Sequence, residues 1–349
     1  MQPDINGLEL ARSFYRDSVA PLLDCAHTAS LIGEGSEVLG YDDARSRDHE
    51  WGPRLQLFVD SVDVHRTQGA IAAGLPAEHR GFPTSWFSLH EGRSSHHIEI
   101  ATTEQWLTAR LPSIPREEVD SAAWLSIPQQ HLLQLTAGEV FHDDVGDLTR
   151  LRDAFAWYPV DIWRWMIAAQ WHLLGNVVPI IGRTLEHGDQ RGARLHVSRA
   201  CELMMEMAFL QERRYSPYAK WLGRAFGDLG AADELGPLLD HALRDTGLAP
   251  ITDALVLLAG WHNDLGITGA VTPVISDFAV GINDAVRPYP VLNTSEFIDA
   301  TVSSIEDPRL RDLPRVGSID QLTHADDLLI SFTQWPSDLA AQYRRQLAS

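Results

Sequence analysis

Residues 33–59 read GEGSEVLGYDDARSRDHEWGPRLQLFV, and this stretch decides how we interpret the fold. It places a glycine-serine turn, Gly35-Ser36, and several acidic residues directly before an apolar segment. The acidic residues that follow the turn are Glu37, Asp42, Asp43, Asp48 and Glu50. Crowded carboxylates repel one another unless a cation lies among them, and a metal ion is the usual one. The alternative is a solvated acidic loop, since runs of charge are usually exposed to water.

Length and composition set the broad class of the protein. At 349 residues the chain is long for one domain, so we expect two. Its content of 44% hydrophobic and 22% charged residues is that of an ordinary globular protein. The sequence contains neither an apolar run of about 18 residues nor a basic N-terminus followed by an apolar one, so we expect no spanning helix and no signal peptide. Only Cys25 and Cys201 are present, which favours a reducing cytoplasm.

Charge restricts the partners. The formal net charge of −20 disfavours nucleic acid and anionic membranes, and favours a neutral or cationic small molecule. A homodimer is an open alternative. Lys220 is the only lysine among 28 basic residues, so this position could need a compact point charge that arginine does not provide. Chance in an arginine-rich composition explains it equally well.

Hydrophobic periodicity predicts strands mixed with helices up to about residue 155. An amphipathic helix is expected over 8–23, followed by strands at ASLIG, RLQLFV and SHHIEIA (95–101). The segment AGEVFHDDVGDLTRLRDAF predicts a strand, a turn at Asp143–Gly146 and a helix. This pattern predicts an N-terminal domain built on a mixed sheet with helices.

After Tyr158 the pattern changes to long helices that are apolar on most faces, which is typical of a helical bundle. One of these helices is expected to run through ERRYSPYAKWLG, which places Lys220 at the end of a long helix. The predicted domains are therefore 1–157 and 158–349, an α+β organisation. From about residue 270, frequent proline and glycine predict an irregular segment followed by short helices. Three tryptophans of the first long helix, Trp163, Trp165 and Trp171, are expected in the core.

Three carboxylates could meet at one edge of the sheet. We expect Asp48 and Glu50 to open a strand two positions apart, so both would point to the same face. Glu99 lies in the middle of a later strand. If the two strands are neighbours, the three acids could hold two Mg²⁺ ions, which can clamp a triphosphate for in-line attack.

A glycine-serine turn, an acid-x-acid pair opening a strand and a third acid on a later strand resemble the polymerase-beta-like nucleotidyltransferase superfamily. The whole chain also resembles a bacterial branch described as domain of unknown function 4037. The stretches GSEVLGYDDARSRDHEWGPRLQLF, IPQQHLLQLTAGEVFHDD and ERRYSPYAKWLG are typical of that branch. The N-terminal domain is then expected to have the nucleotidyltransferase fold.

The resemblance implies a role for each motif residue. Gly35 and Ser36 would hold triphosphate oxygens, and Asp48 and Glu50 would bind metal. Glu99 would complete the metal site or act as a general base on an acceptor hydroxyl. This sequence differs from the usual pattern in having Glu at position 50 and in the Trp51-Gly52-Pro53 interruption that follows it.

The helical domain carries further candidates. By the same resemblance, Lys220 could stabilise the leaving pyrophosphate, and Tyr215 and Tyr218 could stack on the base or the acceptor. The alternative for all three is a packed surface turn. Glu202 and Glu206 lie one helical turn apart in an apolar segment and could bind a cationic acceptor. Neutralisation by Arg199 and Arg213 is the alternative for these two acids.

The histidines are weaker candidates. The spacing of His90, His96 and His97 matches no metal-ligand pattern, and the HDD at 142–144 lies on a predicted strand and turn, whereas the similar pair of metal phosphohydrolases lies on helices. His262 and Asn263 could line a cleft, but a helix end explains them equally well.

Together these features predict a Mg²⁺-dependent enzyme that transfers a nucleoside monophosphate from an NTP to a hydroxyl of a small acceptor. Its active site is expected in a cleft between the two domains. The alternative is a non-catalytic or toxin–antitoxin-like protein of the same fold that binds a nucleotide or a protein partner.

Overall fold

The structure is a computed structural model of an α+β protein. It describes residues 5–48, 50–89, 92–115, 119–279, 286–315, 317–323 and 334–348. The chain forms two compact units. Unit 1 comprises residues 1–114 and 131–156, and unit 2 comprises residues 115–130 and 157–349. The chain therefore passes from one unit to the other three times.

Unit 1 is built on a five-stranded sheet with the order β5-β6-β2-β1-β7. Its strands are β1 (His27–Leu31), β2 (Arg54–Val59), β5 (Ser85–Ser88), β6 (Arg93–Ala101) and β7 (Glu139–Asp143), and a separate pair is formed by β3 (Glu78–His79) and β4 (Phe82–Pro83). β2 is antiparallel to β1 and parallel to β6, while β7 and β5 are antiparallel edge strands. The sheet is therefore mixed, as the sequence predicts.

Helices cover both faces of this sheet. The helices of unit 1 are α1 (Gly7–Phe14), α2 (Val64–Gly74), α3 (Thr103–Arg110) and α6 (Asp147–Ala154), and α5 (Gln129–Thr136) starts in unit 2 and continues in unit 1. β2 alternates so that Leu55 and Leu57 join one core cluster with Phe14 and Ile71. Its other face carries Phe58, whose ring meets Trp106 of α3 edge-on at 5.7 Å. The period-2 pattern thus fixes which face each helix covers.

The predicted opening helix is confirmed, with a change in hydrogen bonding along it. α1 continues as a π-helical turn at Tyr15–Val19 and a 3₁₀ turn at Ala20–Leu22. The predicted strand, turn and helix over residues 137–155 are also confirmed as β7 and α6, with Gly146 in the left-handed region (φ 76°) before α6.

Unit 2 is mainly helical. Its helices are α4 (Ser121–Trp124), α7 (Val160–Glu186), α8 (Gln190–Gln211), α9 (Ala219–Phe226), α10 (Ala232–Asp245), α11 (Leu248–Asp264), α12 (Thr294–Ser303), α13 (Pro308–Asp312), α14 (Ile319–Thr323) and α15 (Gln334–Leu347). Trp163, Trp165 and Trp171 of α7 are at most 1% exposed, which confirms the prediction that they form core. No helix in the described ranges is long and apolar enough to cross a membrane.

Two sequence predictions for unit 2 are wrong. The segment after residue 270, predicted to be irregular, contains an antiparallel pair, β8 (Ile275–Ala279) and β9 (Val286–Leu292). The prolines and glycines of this segment indicated irregular structure, because proline cannot donate to a strand ladder. Edge strands nevertheless tolerate proline. The helix predicted to run through ERRYSPYAKWLG ends at Gln211 and restarts at Ala219. Arg213 adopts φ 53°, and Pro217 removes a backbone donor, so the helix cannot continue.

Candidate functional site

The glycine-serine turn follows the end of β1 directly. Gly35 has φ 126°, a conformation that only glycine adopts readily, and a Cβ atom there would lie 2.5 Å from Arg54 Nη2 and 2.6 Å from Glu37 Oε2. Arg54 donates through Nε to Glu37 Oε1 at 2.7 Å and through Nη2 to the carbonyl of Glu34. Glu37 is only 4% exposed. The space beside Gly35 is therefore filled by a buried ion pair.

Other acids of this loop hold the loop together. Asp42 Oδ2 accepts hydrogen bonds from the Gly7 backbone at 2.7 Å and from Trp51 Nε1 at 3.0 Å. Asp43 Oδ1 accepts from the backbone N–H groups of Arg45 and Ser46, at 2.7 and 3.1 Å. The positive partners in this acidic stretch thus include a guanidinium and backbone N–H groups. Asp42 and Asp43 therefore serve as structural acceptors within the loop.

Asp48 and Glu50 do not open a strand, so that prediction is wrong. Asp48 ends a 3₁₀ turn (Ser46–Asp48), and its side chain lies outside the described residues. Glu50 has φ 49°, and both of its carboxylate oxygens lie 3.0 Å from the hydroxyl of Ser88. The strand starts only at Arg54 because Pro53 cannot donate to a strand ladder.

Glu99 lies in the strand next to β2, as the sequence predicts. The parallel ladder aligns Glu99 with Gln56. Its Oε2 accepts from Trp106 Nε1 at 2.6 Å, and its Oε1 forms an ion pair with Arg110. The Glu99 side chain is 34% exposed, so solvent still reaches it. α3 therefore supplies both partners of this carboxylate.

Glu50 and Glu99 are too far apart to share a metal ion in this structure. Glu50 bonds to Ser88, which pairs in the sheet with Arg93, six residues before Glu99. At about 3.3 Å per residue, that separation is roughly 20 Å along β6. The described carboxylates therefore do not fit the three-acid Mg²⁺ site that the superfamily resemblance implies.

Glu99 does lie close to the glycine turn. A Cβ atom at Gly33 would lie 3.4 Å from Cζ2 of Trp106, the same ring that donates to Glu99. Arg54 opens β2 beside Gly35, and its register partner in β6 is His97, two residues before Glu99. We call this group, Gly33, Gly35, Arg54, Trp106, Glu99 and Arg110, the glycine-turn site.

Lys220 starts a helix rather than ending one, which corrects its predicted position. It is the second residue of α9, it is exposed, and its Nζ lies 4.8 Å from the ring centroid of Trp221. Tyr218 precedes α9 and donates its backbone N–H to Gln130 Oε1 at 3.1 Å. The main chain at this turn is thus fixed, while the lysine extends from it.

Tyr215 lies in an aromatic core cluster. It is 6% exposed, and its ring centroid lies 5.0 Å from that of Trp157 and 5.2 Å from that of Tyr158. Burial raises the pKa of its hydroxyl. The prediction that the Tyr215 ring stacks on a base or acceptor is therefore wrong, because neighbouring aromatic rings pack against it.

Glu202 and Glu206 share one arginine. Arg199 Nη1 lies 2.6 Å from Glu202 Oε2 and 3.9 Å from Glu206 Oε1. Arg213 instead places its guanidinium over Trp163, 4.2 Å from the ring centroid. Neutralisation by Arg199 is confirmed, and neutralisation by Arg213 is wrong.

Glu206 belongs to a partly buried polar network with Gln170 and Gln321, and the buried Asp320 precedes Gln321 in the sequence. Gln170 Nε2 donates to Glu206 Oε2 at 2.9 Å, and its own Oε1 accepts from Gln321 Nε2 at 2.7 Å. Asp320 accepts the backbone N–H of Gln129 at 2.9 Å. Burial raises the pKa of Glu206 to about 7 and that of Asp320 to about 7. Unit 2 thus contains two acids whose charge the interior does not fully compensate.

The remaining histidine candidates have structural partners. His97 stacks on Trp86 with ring centroids 3.4 Å apart, and its Nε2 donates to the Trp86 carbonyl at 3.0 Å. His96 pairs with Ser85 in the β5–β6 ladder, while His90 lies outside the described residues. His262 is fully buried beside Trp171. Asn263 bonds through its side chain to the backbone of Val271, which confirms the helix-end explanation.

One histidine cluster was missed by the sequence analysis. His27 at the start of β1 lies beside His142 and Asp144 at the end of β7. The HDD motif does lie on a strand and a turn, as expected, but its distance in sequence from His27 gave no signal of the contact. Only the antiparallel pairing of β1 with β7 brings them together.

Comparison with known proteins finds a similarity for part of the chain. Residues 124–222 match the sequence model of a family described as Domain of unknown function (DUF4037). This stretch is similar to that family. It contains Glu202, Glu206 and Lys220 but not the glycine turn. No curated protein and no solved structure matches the chain. The predicted resemblance to DUF4037 is confirmed for this stretch, and the relationship to polymerase-beta-like enzymes stays a prediction.

Proposed function

We propose that the protein is a nucleotidyltransferase that transfers a nucleoside monophosphate from an NTP to a hydroxyl of a small acceptor. The observation that carries the proposal is the position of Arg54 against Gly35. A guanidinium donates two parallel hydrogen bonds to phosphate oxygens, and a glycine lets those oxygens approach the backbone closely. In this structure Glu37 pairs with the guanidinium of Arg54, and a bound triphosphate would compete with Glu37 for that guanidinium.

The mixed sheet supports the same proposal. β1 leads into the glycine turn, β2 starts with Arg54, and β6 brings Glu99 beside them. Each oxygen of Glu99 accepts one hydrogen bond, so each keeps a second lone pair. We therefore assign Glu99 as the proposed base that takes the proton of the acceptor hydroxyl.

In the proposed reaction the acceptor oxygen forms a bond to the α-phosphorus, and the bond from that phosphorus to the β-phosphate oxygen breaks. The hydroxyl proton goes to Glu99, and pyrophosphate leaves. Arg54 holds the triphosphate, and Lys220 is proposed to offset the charge that develops on pyrophosphate. Mg²⁺ is the cofactor that the resemblance implies, but Glu50 and Glu99 do not fit one site, so no step is assigned to it.

Unit 2 is proposed to select the acceptor. Glu206, whose side chain is 20% exposed, and the buried Asp320 have raised pKa values, so an added cation would stabilise their charged forms. Arg199 lies 3.9 Å from Glu206, beyond hydrogen-bonding distance. These features favour an acceptor that carries an amine. The proposed setting is a reducing cytoplasm, which fits the two free thiols of Cys25 and Cys201.

Calorimetric titration with ATP, GTP, CTP and UTP, each with and without Mg²⁺, tests the nucleotide site. Loss of a charge-assisted contact in Arg54→Met should weaken NTP binding about 10- to 100-fold. Arg66→Met is the matched control, because Arg66 also belongs to unit 1 and pairs with two acids, Asp24 and Asp63. Binding that is equally weak in both variants, or absent from the intact protein, would contradict the proposal.

A second candidate is a nucleotide-binding protein without catalysis. Glu50 and Glu99 lie at levels of β6 that are roughly 20 Å apart. This separation favours a protein without catalysis, because it removes the metal cluster on which catalysis would depend. NTP binding without transfer to any acceptor would support this candidate. Transfer with release of pyrophosphate would exclude it.

A further inference from the structure

We propose that His27, His142 and Asp144 form a binding site for one first-row transition metal ion, with Zn²⁺ as the preferred ion. Each residue offers one ligand atom, and these atoms lie within 4.8 Å of one another. The site is independent of the proposed nucleotide site. His27 starts β1, whereas the glycine turn follows the last residue of that strand, Leu31.

The distances fit tetrahedral coordination. His142 Nε2 lies 3.0 Å from Asp144 Oδ1, and His27 Nδ1 lies 3.8 Å from Asp144 Oδ2. A tetrahedral zinc site with bonds of about 2.0–2.1 Å has neighbouring ligand atoms about 3.4 Å apart. The two observed separations, each to a different oxygen of Asp144, lie on either side of this value, and side-chain rotation within the 4.8 Å cluster would bring the three ligand atoms around one ion.

The backbone holds the three ligands in place before any metal binds. Asp144 Oδ2 accepts the backbone N–H of His27 at 3.0 Å, and the Asp144 N–H donates to the His27 carbonyl at 3.1 Å. The adjacent Asp143 fixes the turn, since it accepts from Thr28 Oγ1 at 2.7 Å and from the Thr149 N–H at 3.0 Å. These backbone contacts order His27 and Asp144 and need not break on metal binding, which gives up only the hydrogen bond from His27 Nδ1 to the Cys25 carbonyl.

Tyr15 supplies the outer contact that a ligating histidine requires. His27 Nε2 lies 2.9 Å from the Tyr15 hydroxyl, while Nδ1 donates to the Cys25 carbonyl at 2.8 Å. Coordination through Nδ1 moves the ring proton to Nε2, which then donates to Tyr15. A second hydrogen bond of this kind orients the ring and strengthens the ligand.

Two nitrogen ligands and one carboxylate select the ion. Imidazole nitrogen suits Zn²⁺ and its neighbours, whereas Mg²⁺ and Ca²⁺ prefer oxygen ligands alone. Three protein ligands also leave a fourth position for water or another small ligand. The side chains of His142 and Asp144 are 38% and 40% exposed, so an ion can enter from solvent.

The test is titration of the chelator-treated full-length protein with Zn²⁺, and with Co²⁺ for its visible absorption. We expect one ion per chain, the intense visible bands of four-coordinate Co²⁺, and no competition from millimolar Mg²⁺. His142→Gln and Asp144→Asn should each weaken binding at least about 100-fold, and Tyr15→Phe about 10-fold, the range for an outer contact.

His241→Gln is the matched control. His241 forms an exposed pair with Asp245 at 2.9 Å, and no third ligand joins them among the residues that the structure describes, so loss of His241 should leave Zn²⁺ affinity unchanged. Zn²⁺ should also raise the melting temperature of the intact protein and of His241→Gln, but not of His142→Gln. Failure of the intact protein to bind Zn²⁺ or Co²⁺, or equal affinity in His142→Gln and the intact protein, would overturn the proposal.

Discussion

Arg54 and Glu37 form an ion pair directly against Gly35. Arg54 Nε donates to Glu37 Oε1 at 2.7 Å, and Nη2 occupies a point only 2.5 Å from where a Cβ of residue 35 would lie. Glycine is therefore required at position 35 for a steric reason that does not depend on any ligand. The same contact places a guanidinium where the proposed function requires a phosphate-binding group.

Gly35→Ala should destabilise the protein by more than the conformational strain alone. The φ of 126° disfavours alanine, and the new Cβ would displace the Arg54–Glu37 pair. We expect a loss of about 2–4 kcal/mol in the free energy of unfolding, measured by urea denaturation. Gly40→Ala is the control, since Gly40 has φ 74° with open space around it and should lose about 1 kcal/mol. Equal losses would show that the contact with Arg54 is not constraining.

Glu37→Gln should increase NTP affinity. Removing the competing carboxylate leaves Arg54 available to phosphate, so we expect a gain of about 3- to 10-fold at low salt. Calorimetry with the tightest-binding NTP measures it, and the gain should disappear in the double variant with Arg54→Met. A fall in affinity would indicate that the ion pair shapes the site instead of blocking it.

Glu99→Gln should lower transfer turnover by about 10²–10⁴-fold, the range for loss of a general base. NTP affinity should change little. Arg110→Gln breaks the same ion pair without touching the proposed base, so its turnover should fall less than about tenfold. Equal losses in the two variants would reduce Glu99 to a structural partner of Arg110.

Glu206→Gln should stabilise the protein at high pH and leave it unchanged at low pH. Burial raises the folded pKa of Glu206 from 4.5 to about 7, so the folded state holds its proton more tightly than the unfolded state. The stabilisation from the neutral acid is complete below about pH 4 and is lost as the pH rises through 7. At pH 8 we expect Glu206→Gln to gain about 2–3 kcal/mol over the original protein.

Thermal unfolding of Glu206→Gln and of the original protein between pH 4 and pH 8 measures the difference in their stability. Other groups that titrate alike in both proteins cancel in this difference. Glu202→Gln is the control, because the Glu202 side chain is 35% exposed and pairs with Arg199 at 2.6 Å. A constant difference across this pH range would show that Glu206 is already compensated in the folded protein.

Lys220→Met should reduce turnover by about 10²–10³-fold with a smaller change in NTP affinity, because the proposed contact acts on the leaving pyrophosphate. Arg224→Met, one turn later in α9, is the control. If turnover is unchanged, the single lysine reflects composition and not chemistry.

The sequence predicts local structure here better than side-chain partners. The alternation in RLQLFV and SHHIEIA determines β2 and β6, because one face of each strand must be buried. The roles of Glu50 and Glu99 could not be predicted, because they depend on Ser88 and Arg110, which are set by strand register and by the angle of α3. His27 and Asp144 are 117 residues apart, and only the β1–β7 pairing joins them.

Arg54 had a signal in the sequence that could have been used. A charged residue that opens a buried strand directly after a proline needs a nearby partner, and Glu37 in the preceding loop was available. Asp320 had no such signal. Its burial depends on the packing of α14 in unit 2, and a single acid in a polar segment gives no periodicity to detect.

The most direct test of the proposed function is pyrophosphate release by the full-length protein, supplied with each NTP and a panel of hydroxyl compounds with and without an amine. We predict release that requires both an NTP and an acceptor, that is fastest with amine-bearing acceptors, and that Arg54→Met and Glu99→Gln slow by the factors given above. NTP binding with no pyrophosphate released for any acceptor, with or without Mg²⁺, would contradict the assignment as a transferase.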